Sequence, residues 1–190
     1  EHHLPPDSAP TGALAYALAR HHLLGDTPER AAPYVLAGLE YLMELAEGRR
    51  AARMARGALE ALPDAEPTLR AHLRFQLGRA LDGHAPPTEI VGLLEQTLEE
   101  TRAVGDRILE LDVLQHLGAA VSHTGRHADG TRISAEAAAL AETAGDPLRL
   151  ARALTSHATS HYNLGRHEEA FATGQRALDI AREAGAAGQV

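Results

Sequence analysis

A three-residue phrase returns at a fixed interval along this chain: Val104-Gly105-Asp106, Ala144-Gly145-Asp146 and Ala184-Gly185-Ala186, each glycine 40 residues after the last. Laying residues 106–145 over 146–185 brings Leu114 onto Leu154, Gly118 onto Ala158, Gly125-Arg126-His127 onto Gly165-Arg166-His167, and Ala137 onto Ala177. A unit this short cannot bury its own apolar face. It does so by stacking on its neighbours, which is the physics of a solenoid and excludes most other architectures.

Each unit reads as two helices. Residues 147–163 form one apolar-periodic stretch, Gly165 breaks it, and residues 167–184 form the second. A glycine at the break suits the left-handed residue that ends a helix, and Glu168 and Glu169 complement the dipole of the next one. Composition supports this reading: 38 Ala and 28 Leu stand against six Val and four Ile, a balance that favours helix over strand. The expected fold is an all-α, right-handed superhelical solenoid of antiparallel helix hairpins, with about nine helices.

Upstream the repeat is weaker. Leu45, Ala46, Ala51, Ala58 and Leu59 fall at the positions of Leu164, Gly165, Ala170, Ala177 and Leu178, and Pro63 closes that helix. The next pair comprises a helix around Leu73, Leu77, Gly78 and Leu81, the loop 82–87, and a helix from Thr88 to Val104. Residues 11–24 form a further helix ended by Gly25-Asp26, after which Thr27 caps the next with Pro28 at its first position. The expected hairpins therefore span about 11–47, 33–63, 67–104, 106–145 and 146–185 within a domain of residues 11–185. Residues 1–10, with three prolines, read as a flexible lead-in, and residues 186–190 as a loose tail. A start at Glu1 rather than Met suggests a piece of a larger protein.

The absences remove whole chemistries. All 18 basic residues are Arg and there is no Cys, so the chain offers no phosphate-loop or Schiff-base lysine, thiol nucleophile or thiolate metal site. A net charge of −8, with arginines interspersed among acids, argues against direct nucleic-acid contact. No apolar run approaches the roughly 20 residues that span a bilayer, and no leader pattern precedes the first helix, so a cytoplasmic location without membrane contact is expected.

The segments 114–130 (LQHLGAAVSHTGRHADG) and 154–170 (LTSHATSHYNLGRHEEA), followed by Ala177-Leu178, resemble the tetratricopeptide repeat (TPR) family over roughly residues 30–185. The departures are Gly130 in place of the usual Ala, His157 and His161 at positions normally Leu and aromatic, and a period of 40 rather than 34. The long hairpins, and the segment 18–48, are similar to the helical region of actinobacterial LuxR-type and SARP-type regulators built on STAND ATPases. The resemblance implies a non-catalytic module binding a peptide, a partner protein or other domains of the same chain, as the arm of a transcriptional regulator or signalling ATPase. Sensing of a small-molecule inducer is the alternative. No cofactor is implied. Repeat-defining positions are Gly118, Gly125, Ala137, Ala158, Gly165, Ala170 and Ala177. Mapping the family's concave groove gives Asp112, Gln115, Ala119, Ser122 and His123 from one repeat and Arg152, Thr155, Thr159, Tyr162 and Asn163 from the next. The weaker repeat contributes His72, Phe75, Arg79 and Asp82.

Twelve histidines raise the question of a metal. His157 and His161 lie four apart on one helix face, as chelating pairs do, but a site normally needs a third ligand, and the pair His123 and His127 is interrupted by Gly125. The positions of His157 and His161 instead point to histidines packed between helices. Acid pairs such as Glu99-Glu100 and Glu168-Glu169 diverge on a helix, and Ser122, His123, Asp129, Ser156 and His157 do not compose a nucleophile motif. The expectation is no metal site and no catalytic residue. Leu178 and Ile180 on the last helix suggest a face for a second copy or for further repeats.

Overall fold

The computed structural model describes residues 10–185. Residues 1–9 of the lead-in expected over 1–10, and the tail at 186–190, lie outside the described residues. Those described form nine α-helices, one 3-10 turn and no strand. The chain divides after Ala85 into two packing units. The first contains α1 (Gly12–Leu24), the 3-10 turn Pro28–Ala31, α2 (Ala32–Glu44), α3 (Gly48–Ala61) and α4 (Pro67–Ala80). The second contains α5 (Pro87–Val104), α6 (Arg107–His123), α7 (His127–Ala144), α8 (Pro147–Asn163) and α9 (His167–Glu183).

The recurring Gly-Asp phrase is the punctuation of the second unit. Gly105 ends α5 and Gly145 ends α7, both left-handed at φ 74° and 66°, a conformation nearly free of cost only for glycine. The aspartate that follows starts the next helix. Asp106 accepts a hydrogen bond from the Leu109 N–H and Asp146 from the Arg149 N–H, each at 3.0 Å, satisfying one of the donors a helix leaves open. Asp146 is held below the usual carboxylate range, first by that N–H and then by the Arg149 guanidinium.

Thr27 departs from its expected role. Its hydroxyl makes no cap; it lies 3.2 Å from His22 Nδ1, and the chain takes a 3-10 turn over Pro28–Ala31 before α2 begins. At the end of α3, Arg70 donates to the carbonyls of Leu62 (2.9 Å) and Pro63 (3.1 Å), covering acceptors that Pro63 prevents a further turn from using.

The turn between α2 and α3 repeats the turn between α8 and α9 bond for bond. Ala46 N–H donates to Met43 and Glu47 N–H to Leu42, as Gly165 donates to Tyr162 and Arg166 to His161. Yet the residue at φ 57° is an alanine, where the other turn has glycine at φ 73°. An alanine in the left-handed region crowds its Cβ against the following carbonyl. Ala46→Gly is therefore expected to raise stability by about 0.5–1 kcal/mol, net of the extra freedom glycine gives the unfolded chain. Urea denaturation followed by far-ultraviolet circular dichroism checks this, and a lower midpoint would contradict it.

In the first unit Val35, Leu39, Leu42 and Leu73 are fully buried among Ala15, Ala19, Ala51, Ala55, Ala58 and Ala71. In the second Leu94, Leu109, Leu111, Leu114, Val113 and Val121 form the interior. Burial of each such Leu or Val is worth about 1.5–3 kcal/mol. The two threonines among them, Thr97 and Thr101, are satisfied by the carbonyls of Leu93 and Thr97 at 2.7 Å.

Charged pairs tie the second helices of successive hairpins at equivalent positions with the sign reversed. Arg102 on α5 donates to Glu136 on α7, and Arg176 on α9 donates to Glu142 on α7. Glu142 aligns with Arg102, and Arg176 with Glu136, under the 40-residue shift. The repeat thus preserves the geometry of the pair and not the charge at either position. Arg102 also reaches Glu110 at 2.9 Å, joining three helices. Glu110 is buried, which alone would raise its pKa. The hydrogen bonds from Arg102 and Arg107 outweigh that burial and hold the carboxylate below its usual value.

Candidate functional site

The groove positions expected from the repeats lie on α4, α6 and α8. On α8, Arg152, Thr155, Thr159 and Tyr162 follow the three- and four-residue spacing that places them on one helix face, and all are exposed, as is Asn163. Tyr162 is 64% exposed. The Thr155 and Thr159 hydroxyls bond back to the carbonyls of Ala151 and Thr155, so each donates within its own helix. This leaves a strip of threonines bounded by a cation and an aromatic ring.

The aligned face of α6 is less open. Ala119 and His123 are exposed, whereas Gln115 and Ser122 are buried and Asp112 is half-buried. The causes are specific. Gln115 donates to the Arg149 carbonyl of α8 at 3.5 Å, Asp112 lies 3.8 Å from the Arg149 guanidinium, and Ser122 bonds the Gly118 carbonyl where α7 crosses. On α4, in the first unit, Phe75 is buried with Arg79 over its ring at 5.8 Å, and Arg79 donates to Gln76. His72 is half-buried and Asp82, just beyond the helix, is exposed.

Among the repeat-defining small residues, Gly118 marks a close helix approach, whereas Gly125 and Gly165 stand in open turns. Ala137 and Ala177 are buried, Ala158 and Ala170 half-buried, and Gly125 and Gly165 take φ 85° and 73° at the hairpin turns. Gly118 faces Gly130: a Cβ on Gly118 would meet Ser134 Oγ at 2.8 Å and the Gly130 carbonyl at 3.3 Å. On α9 Leu178 and Ile180 are half-buried and Phe171 is exposed.

His157 and His161 face each other, Nε2 to Nε2 at 3.1 Å, with both Nδ1 atoms buried and without a hydrogen-bond partner. Among the described residues no group of three or more His, Asp or Glu is placed to hold a metal ion. Among them too, no helix is long and apolar enough to cross a membrane.

A cavity of about 560 Å³ lies between α1 and α3, and the groove mapping did not include it. Tyr16, Arg20, Arg50 and Arg53 line it together with Leu23, Leu24 and Met54. Arg50 donates to the Tyr16 hydroxyl at 2.9 Å and sits over its ring, 5.4 Å from the centroid. The signal was in the sequence: residues 48–59 hold four arginines and no acid, with apolar Ala51, Ala52, Ala55 and Ala58 on the opposite face. Read over the whole chain, those arginines disappear into an acidic average.

No protein-family model matches the chain, and no curated protein sequence matches it significantly. Solved structures do. Aspartyl phosphate phosphatase F from Bacillus subtilis matches with a TM-score of 0.73 at 15% identity, over 81% of this chain and 41% of its own. The putative kinesin light chain nearly identical TPR-like repeats of Podosopora anserina match at 0.69 and 13%, over 90% and 94%. A Rap protein solved with Competence and Sporulation Factor matches at 0.71 and 15%, over 92% and 45%. The chain thus spans less than half the length of phosphatase F and of the Rap protein. The fold is the all-α, TPR-like helical repeat.

Proposed function

We propose that this chain is a non-catalytic protein-interaction module that binds a peptide or partner domain on the exposed strip of α8 and the adjoining end of α6. The observation that carries this reading is the Arg152, Thr155, Thr159 and Tyr162 face: an aromatic side chain and a cation set among small hydroxyl residues on a rigid helix. Tyr and Arg are the residues that most often dominate binding energy at interfaces. A Rap protein of the same fold solved with Competence and Sporulation Factor supports the reading. The placement of this module as the arm of an actinobacterial-type regulator rests on the sequence resemblance alone.

Peptides selected from a displayed random library against the purified chain provide the test. Tyr162→Ala is expected to weaken the selected binders by about tenfold or more, as truncation of a central aromatic does, with an unchanged melting temperature because the ring is exposed. Binders indifferent to both Tyr162→Ala and Thr159→Arg would overturn the reading. So would a library that yields no binder while a metabolite screen raises the melting temperature; that outcome would favour the small-molecule sensor.

A further inference from the structure

We propose that the α1/α3 cavity is a second, separate docking site, for an acidic segment of a partner protein that carries aliphatic anchors. The shape comes first. The cavity of about 560 Å³ adjoins a second of about 430 Å³ along α1, lined in part by the same Tyr16, Arg20 and Leu24. Together their lining runs along α1 from Tyr16 to Gly25, a length of helix that suits a stretch of polypeptide. Above Gly57 there is open space, since a Cβ there would meet no atom within 4 Å.

Charge comes second. The chain carries −8 overall, yet α1 holds no acid, and α3 carries Arg49, Arg50, Arg53 and Arg56 against a single Glu60. Among the described residues Arg20 and Arg53 have no acidic partner, while Arg50 is steered by the Tyr16 hydroxyl and lies 3.6 Å from Glu47. Guanidinium groups take carboxylates through paired, charge-assisted hydrogen bonds, so a local cluster of three at one cavity selects acidic side chains.

The floor comes third. Leu24 is 74% exposed, and Leu23 and Met54 are half-buried beside it. A surface that mixes aliphatic floor and arginine rim matches a helix or strand alternating Leu-type anchors with Glu or Asp, the pattern of groove recognition. A nucleic acid would use the arginines and leave the aliphatic floor unfilled, and it would approach a molecule of the same net sign.

The probe is a fluorescein-labelled helical peptide with leucines four apart and glutamates between, compared by anisotropy with its twin carrying lysine in place of every glutamate. The glutamate peptide is expected to bind and the lysine peptide not, with affinity falling as salt rises. Arg20→Glu/Arg53→Glu is expected to weaken binding by at least about tenfold. Both side chains are exposed, so the melting temperature should hold, and Arg20→Gln/Arg53→Gln serves if charge reversal disturbs folding. Leu24→Ala should weaken binding as well, while Tyr162→Ala on α8 should leave it unchanged. The proposal is overturned by absent binding, equal binding of the two peptides, or full affinity in the arginine variants. Loss of binding on Tyr162→Ala, or tighter binding of a single-stranded oligonucleotide than of the glutamate peptide, overturns it too.

Discussion

Replacing Gly130 with alanine is expected to cost about 2 kcal/mol of stability, although it adds one methyl group to a helix that should welcome it. A Cβ at Gly130 would stand 2.0 Å from Ser122 Oγ, 2.7 Å from the Gly118 carbonyl oxygen and 3.2 Å from Ser122 Cβ. The first contact is with a side chain that can rotate, but rotation breaks its hydrogen bond to the Gly118 carbonyl at 2.9 Å. The second is with backbone, which can yield only if α6 and α7 move apart. Overpacking of this kind typically costs 1–3 kcal/mol, set against a helix-propensity gain below about 1 kcal/mol. Gly130→Ala/Ser122→Ala should recover part of the loss and not all, since the carbonyl contact survives. The internal control is Gly92→Ala on α5, where nothing lies within 4 Å; it should stabilise by about 0.5–1 kcal/mol. Urea denaturation of the three variants reads the signs directly. A neutral or stabilising Gly130→Ala would show that the α6/α7 crossing is looser than this geometry.

Gly92 and Gly130 also mark how far the sequence can be read. Both are helical glycines, and only the fold distinguishes the one in open space from the one wedged against a neighbouring backbone. The repeat itself was legible because its turn chemistry is local: Gly145 needs the left-handed conformation and Asp146 needs to cap, and both demands recur wherever the turn recurs. Ala46 broke the pattern in identity while keeping it in hydrogen bonding, so that turn was visible only by alignment. Exposure on the groove helices was not legible for a related reason. Gln115 and Thr155 occupy equivalent positions, but Gln115 is buried through the Arg149 backbone of the next hairpin. Equivalence under a repeat fixes where a side chain sits on its own helix; what covers it depends on the neighbour. The α1/α3 cavity needed both kinds of information, since the arginine run is local and its convergence with Arg20 on α1 is not.

Acidification below pH about 6.5 is expected to loosen the packing around α8 through His157, and replacing it together with His161 by Leu and Val should remove much of that sensitivity. The aligned residues on α6 are Leu117 and Val121, 3% and 1% exposed, so the two imidazoles occupy what is elsewhere apolar core. Burial holds His157 below its ordinary value, the adjacent His161 adds to this, and the Thr131 backbone on α7 only partly opposes it. Among the described residues no carboxylate of α7 or α9 contributes to holding a proton on His157. Neutral, one Nε2 donates to the other; with both rings charged, two cations would face each other at 3.1 Å. The unfolded chain takes up its proton at the ordinary histidine pKa, near 6.5, while the folded chain resists until a lower pH. The unfolded state therefore binds more protons across that interval, and stability present above pH 6.5 is lost as pH falls through it. The His157→Leu/His161→Val variant puts the apolar residues of the equivalent α6 positions into this packing. It should exceed the wild type by about 1–2 kcal/mol at pH 5 and by less at pH 8. The other ten histidines are common to both proteins, so the difference between the two denaturation curves isolates this pair. Parallel pH profiles for wild type and variant would show that His157 takes up its proton alike in the folded and unfolded chain, and would remove it as the source of acid sensitivity.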